Sequence, residues 1–128
     1  MKLQQISIYM ENKPGMLCEI TKFIASKKVN LRALCVADTE KFGIVRIIVD
    51  DPGLVNDMLQ KEGYATNLRQ VLAIEIPDEP GKFAALLEKL AKENINIDYS
   101  YAYTSANGNA MIIMRVDDVD KAANILEK

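Results

Sequence analysis

The chain repeats itself. Lys13-Pro14-Gly15, a helical stretch and Val29-Asn30-Leu31 return as Glu79-Pro80-Gly81, a helical stretch and Ile95-Asn96-Ile97. Pro14 and Pro80 stand 66 positions apart, as do Asn30 and Asn96. Val49-Asp50-Asp51 returns as Val116-Asp117-Asp118 at an offset of 67, so one residue has been added between the motifs. A period of this length exceeds a solenoid unit and suits a small α/β module. The expected object is two copies of one module, near residues 1–69 and 70–128. A chain of roughly 60 residues buries only about 60% of its surface and is marginal alone. The copies are therefore expected to share an interface or a sheet.

Each copy opens on a strand. Ile6, Ile8 and Met10 alternate in the first, and Leu72, Ile74 and Ile76 in the second. A polar turn follows, then Pro-Gly, which suits a helix start and cannot continue a strand. Phe83, Leu86, Leu87, Leu90 and Ala91 then mark an amphipathic helix, matched less regularly by Leu17, Ile20, Phe23 and Ile24. Second strands are expected over 31–37 and 97–103. Hairpin loops are expected at Asp38-Thr39-Glu40-Lys41 and 104–108, and third strands over 44–49 and 110–116. The Asp pairs at 50–51 and 117–118 read as starts of short second helices, where carboxylates oppose the helix dipole favourably. A further strand fits around Tyr64–Arg69. The order is β-α-β-β-α-β, an α+β ferredoxin-like arrangement with helices on one face of an antiparallel sheet. The second copy stops after its second helix, so its final strand is missing or borrowed, from Tyr64–Arg69, the N-terminus or another chain.

Composition excludes several functions. The net charge of −2 and the lack of a basic stripe argue against nucleic acid and anionic membrane surfaces. The chain has no histidine, hence neither the commonest metal ligand nor the commonest general base. Cys18 and Cys35 are isolated and read as small core residues in a reducing compartment. With no secretory leader and no apolar run near the ~20 residues of a membrane span, the expected location is cytoplasmic. No cofactor, metal site or catalytic residue is expected. Tyr99, Tyr101 and Tyr103 share one strand face. They could stack on bases, but packing under the helices or between the copies is the expected role.

A ferredoxin-like half with Asn/Asp-x-Pro-Gly after its first strand and Ile/Val-Asn-Ile/Leu before its second resembles the ACT domain. That small-molecule regulatory module is attached to enzymes such as aspartokinase, phosphoglycerate dehydrogenase and the acetohydroxy acid synthase regulatory subunit. Both motifs occur at the same spacing in both halves, so the resemblance covers essentially the whole chain as a tandem pair without a catalytic domain. It implies side-by-side pairing, as in a homodimer, and a bound amino acid or similar small effector, with a regulated enzyme as partner. Carried over by position, it places Asn12, Gly15, Met16 and Leu17 in one site and Asp78, Gly81, Lys82 and Phe83 in the other, with Asn30 and Asn96 reaching in from across an interface.

Elementary chemistry is compatible with those assignments. Amides at a helix start are free donors suited to a carboxylate, and glycine permits close approach. Asn12 or Asp78 could accept from an ammonium group. The same residues have structural readings: Asn12 and Asp78 as helix caps, Asn30 and Asn96 as left-handed turn residues. Two functions stand side by side, a non-enzymatic amino-acid sensor and a structural or protein-binding module that holds no ligand. An enzyme is the weakest reading, since there is no nucleophile–base pair and no phosphate-cradling loop.

Overall fold

In a computed structural model that describes residues 1–38 and 41–127, strand β1 runs over Lys2–Glu11 and helix α1 over Met16–Ser26. Strands β2 and β3 follow at Ala33–Asp38 and Phe42–Ile48, then helix α2 at Pro52–Lys61. Strand β4 covers Ala65–Pro77, helix α3 Lys82–Lys92, strand β5 Ile97–Thr104, strand β6 Asn109–Val116 and helix α4 Val119–Leu126. This is the duplicated β-α-β-β-α-β order of two ferredoxin-like modules. Thr39 and Glu40, the centre of the first expected hairpin loop, lie outside the described residues. The second loop contains a single 3₁₀ turn, Ala106–Gly108, with Asn107 left-handed at φ 62°.

The chain divides into two compact units: Gln4–Arg69, and Gln70–Lys128 together with Met1–Leu3. In the first, β3 pairs antiparallel with both β1 and β2, setting Ile47 beside Ile6 and Leu34, and Val45 beside Ile8 and Val36. Ile6, Ile8, Val45 and Ile47 share the face that buries Ile20 and Ile24 of α1 and Val55 and Leu59 of α2. The opening residues of β4 belong to this unit, where the Asn67 Nδ2 donates to the Tyr9 hydroxyl at 3.0 Å. In the second unit β6 pairs antiparallel with β4 and β5. Leu72, Ile112, Met114 and Val116 pack on Leu86 and Leu90 of α3 and Ala122 and Ala123 of α4. Its sheet also takes in the N-terminus: the Ala73 amide donates to the Met1 carbonyl at 2.8 Å, and the Met1 nitrogen to the Ala73 carbonyl at 3.2 Å.

Four local expectations are corrected. Cys18 is exposed on α1 and Cys35 only half-buried on β2, so neither is a core residue. The strand expected around Tyr64–Arg69 begins at Ala65 and continues through Leu72 as one strand, β4, because nothing between Ala65 and Ile76 is Gly or Pro and nothing turns the chain. The left-handed residues after the first helices are Lys28 (φ 60°) and Asn94 (φ 57°), not Asn30 and Asn96. Each makes a Schellman closure, in which the Lys28 and Val29 amides donate to Ala25 and Ile24, and those of Asn94 and Ile95 to Ala91 and Leu90. The three tyrosines of β5 stand opposite Arg115, Ile113 and Met111, on the face turned away from the helix-packed Met114 and Ile112. Strand alternation therefore excludes them from under the helices.

The Asp pairs divide their labour. Asp51 and Asp118 cap α2 and α4, accepting from the Leu54 amide at 3.3 Å and the Lys121 amide at 3.0 Å. The preceding aspartates tie the helix start to the beginning of the second strand. Asp50 accepts from Arg32 at 2.8 Å, and Asp117 from the Asn96 amide at 3.2 Å.

Candidate functional site

The two Pro-Gly loops are built alike. In the second, the Glu79 amide donates back to Pro77, the Lys82 amide to Glu79 and the Ala85 amide to Gly81. In the first, Lys13 donates to Glu11, Met16 to Lys13 and Glu19 to Gly15. The residues that cap α1 and α3 are Gly15 (φ 90°) and Gly81 (φ 87°), in a left-handed conformation that glycine adopts without strain. Neither helix has a side-chain cap. The capping reading of Asn12 and Asp78 is thereby overturned: glycine already turns the chain into the helix, one residue before its first turn. Asp78 is anchored through its backbone instead, its amide donating to the Gly108 carbonyl at 3.0 Å.

Beneath the second loop lies a cavity of about 390 Å³, in the usual size range for small-ligand sites. Asp78 and Glu79 form its acidic rim and Phe83 one wall, while Ser100 and Ala102 of β5 and Ile112 of β6 contribute from the sheet. Ala102 pairs with Ile112 across the strands, on the face that α3 covers, which explains why loop, helix and edge strand converge there. The Ser100 hydroxyl donates to the Ile113 carbonyl at 3.1 Å, leaving its oxygen lone pairs as acceptors. The wall is largely apolar and the charge is confined to the rim. Such a shape suits a ligand with an apolar body and a cationic end.

The other expected site residues are placed elsewhere. Lys82, one step along α3 from Phe83, borders a separate cavity of about 250 Å³ with Leu86, Lys89 and Leu126. Met16 borders a cavity of about 410 Å³ in the first unit, beside Glu11, Glu19, Glu62 and Tyr64. Burial raises the Tyr64 phenol above its ordinary pKa, with the Glu19 and Glu62 carboxylates acting in the same direction. Asn30 borders a smaller cavity with Lys28, Asp50 and Leu54. Asn12, Gly15, Leu17, Gly81 and Asn96 line none of these four cavities. The Asn96 side chain donates to Asp98 at 3.1 Å, at the beginning of β5. Ser100, Ala102, Glu79 and Ile112 are not among the residues that the sequence reading puts at the site. A signal was nevertheless present: the repeat sets small Ser100 and Ala102 against larger Leu34 and Val36.

Among the described residues no group of three or more His, Cys, Asp or Glu side chains could hold a metal ion, and no helix is long and apolar enough to cross a membrane.

Comparison with known proteins agrees with the fold. Residues 1–128 match the family described as an ACT domain pair. A protein of Bacteroides thetaiotaomicron is similar at 37% identity and a TM-score of 0.93, over 99% of this chain and 88% of that one. The ligand-free regulatory subunit of aspartate kinase from Thermus thermophilus shares the fold at 14% identity and a TM-score of 0.66, over 97% of this chain and 90% of that one. The corresponding subunit from Thermus flavus shares it at 15% identity and a TM-score of 0.60, over 97% and 90%. No curated protein matches.

Proposed function

The chain belongs to the ACT-domain-pair family, and from that premise we propose that it is a non-catalytic regulatory protein that binds an amino acid or a similar small effector. The cavity under the Asp78–Phe83 loop carries the reading, because it joins an apolar wall to an acidic rim at the start of a helix. An α-ammonium group meets Asp78 and Glu79. The α-carboxylate meets the Phe83 and Ala84 amides of α3, since those of Lys82 and Ala85 are held by Glu79 and Gly81, and it lies at the positive end of the helix dipole. Lys82 adds a positive charge nearby. In the first module, assigned to residues 1–69, Asn12, Gly15, Met16 and Leu17 form the corresponding loop. The second is assigned to 70–128. Asn30 and Asn96 contribute from a neighbouring module where two modules pair side by side.

Effector binding shifts the assembly of the chain or its contact with a regulated enzyme, since a ligand moves an equilibrium only by its differential affinity for the two states. The relatives described as regulatory subunits of aspartate kinase support such a partner. The working form is a cytoplasmic homodimer. A second reading, a protein-interaction module without a ligand, draws on the apolar edge of the first unit, where Leu34 (41% exposed), Val36 (44%) and Phe42 (56%) face solvent.

Thermal denaturation in the presence of each of the twenty amino acids tests the proposal. A ligand that binds only the folded form raises the melting temperature. A rise with one chemical group of amino acids supports the sensor. No rise with any of them, in a chain that self-associates through its β2 edge, supports the interaction module.

A further inference from the structure

The two copies of the repeat do not offer the same room. Position by position, Ser100 and Ala102 of β5 correspond to Leu34 and Val36 of β2, Ile76 to Met10, and Ala110 to Gly43. The pairing supports this equivalence. Ala102 stands opposite Ile112 as Val36 stands opposite Val45, and Ile76 opposite Ala110 as Met10 opposite Gly43. In the second unit these positions border the 390 Å³ cavity. In the first, two longer side chains occupy the edge strand, and Met10 lies across Gly43: a Cβ there would come within 3.1 Å of the Met10 terminal methyl. The glycine makes no space, because the methionine takes it. Of the two first-unit cavities described above, the larger borders Met10 from the side of Glu19 and Tyr64, and neither is lined by Asn12, Leu17, Leu34 or Val36.

The loops differ in charge as well. The acidic rim of the second, Asp78 and Glu79, is replaced by Asn12 and Lys13 in the first. A position that would meet an ammonium group thus loses both its carboxylates and gains a cation. Steric and electrostatic differences point the same way.

Resting on the effector reading above, we propose that the chain binds one effector, in its second module, and that the effector is an α-amino acid with an uncharged, apolar side chain selected by the small residues Ser100 and Ala102. The apolar wall formed by Phe83, Ala102 and Ile112 receives the side chain and offers a charged one no partner of opposite charge. Met10, Leu34 and Val36 close the first module to the same ligand.

Calorimetric titration of the full chain with l-leucine, l-methionine, l-lysine and l-aspartate tests this, alongside Ala102→Val and the double variant Ser100→Leu with Ala102→Val. Ala102 is solvent-exposed on an edge strand, so the single variant is expected to keep its fold, and the melting temperature of each variant checks it. The expected result is one equivalent of an apolar amino acid per chain, no heat from lysine or aspartate, and affinity lowered by about tenfold or more in either folded variant. Two equivalents per chain, preference for a charged side chain, or unchanged affinity in a folded variant would overturn this inference and leave the sensor reading standing. Absence of binding by all twenty amino acids would overturn that reading, and this inference with it.

Discussion

Met1 and Ala73 exchange two backbone hydrogen bonds, at 2.8 and 3.2 Å, although 72 positions separate them in the chain. The pair lies within the second unit, whose own last element is α4. Lys2 reinforces the attachment by donating to Asp120 of α4 at 2.5 Å, and this bond raises the pKa of its ammonium group. Residues 1–3 stand where a fourth strand completes a ferredoxin-like sheet, and they cover an edge that would otherwise invite association.

Removing Met1–Leu3 is expected to destabilise the second unit by roughly 2 kcal/mol, from two backbone bonds worth about 1 kcal/mol each. The Lys2–Asp120 pair is exposed and adds little. Urea denaturation measures the loss. Hydrogen exchange at the Ala73 amide reports it locally, and unchanged protection there would show that the N-terminal residues contribute nothing to the edge.

Asp51→Ala and Asp118→Ala are each expected to cost about 1 kcal/mol, because each deletes the side-chain acceptor that caps its helix. Asp50→Ala should cost less, since its partner Arg32 is half exposed and the pair is screened by water. Chemical denaturation of the three variants ranks them. A cost for Asp50→Ala equal to that of Asp51→Ala would contradict the assignment.

Gly81→Ala tests the loop. A Cβ at Gly81 meets nothing within 4 Å, so the expected cost is conformational alone, about 1 kcal/mol for a non-glycine residue held at φ 87°. Gly15→Ala should behave alike in stability. Effector affinity should fall more with Gly81→Ala than with Gly15→Ala. Calorimetry that finds equal losses would move the site away from the second loop.

Alkaline pH should unfold the first unit partly through Tyr64. Burial, with Glu19 and Glu62 behind it, raises the phenol above 10.0 in the folded chain, so the protonated form is favoured by folding. The resulting stability is complete below pH 10.0 and is lost as pH rises through the folded pKa. Lys2 loses its contribution in the same direction, above 10.5. Tyr64→Phe should therefore flatten the decline of stability above pH 10 without removing it, as denaturation midpoints across that window would reveal. An identical slope in the variant would exclude Tyr64 as a contributor.

The duplicated fold was largely legible because its signals are local. Alternation of Ile6 and Ile8, the helical spacing from Phe83 to Ala91, and the Asp pairs that start α2 and α4 each declare an element within a few residues. Errors arose where a local cue admits two geometries. Asn12 and Asp78 suit a helix cap by type, yet a left-handed glycine three residues on had already taken the position. Asn30 and Asn96 suit a left-handed turn, yet the Schellman closures fall two residues earlier, at Lys28 and Asn94. Tyr99, Tyr101 and Tyr103 were correctly grouped on one face, but the face belonging to the helices is set by the residues opposite them.

Sequence alone determined the repeat and its element order. It did not reveal that Ser100, Ala102 and Ile112 meet that loop around one cavity, or that Met1 lies beside Ala73. Hydrophobic period records which side of an element is buried, and turn residues record where the chain reverses. Neither records which strand is laid beside which, because that choice is settled by pairing and packing between segments tens of residues apart.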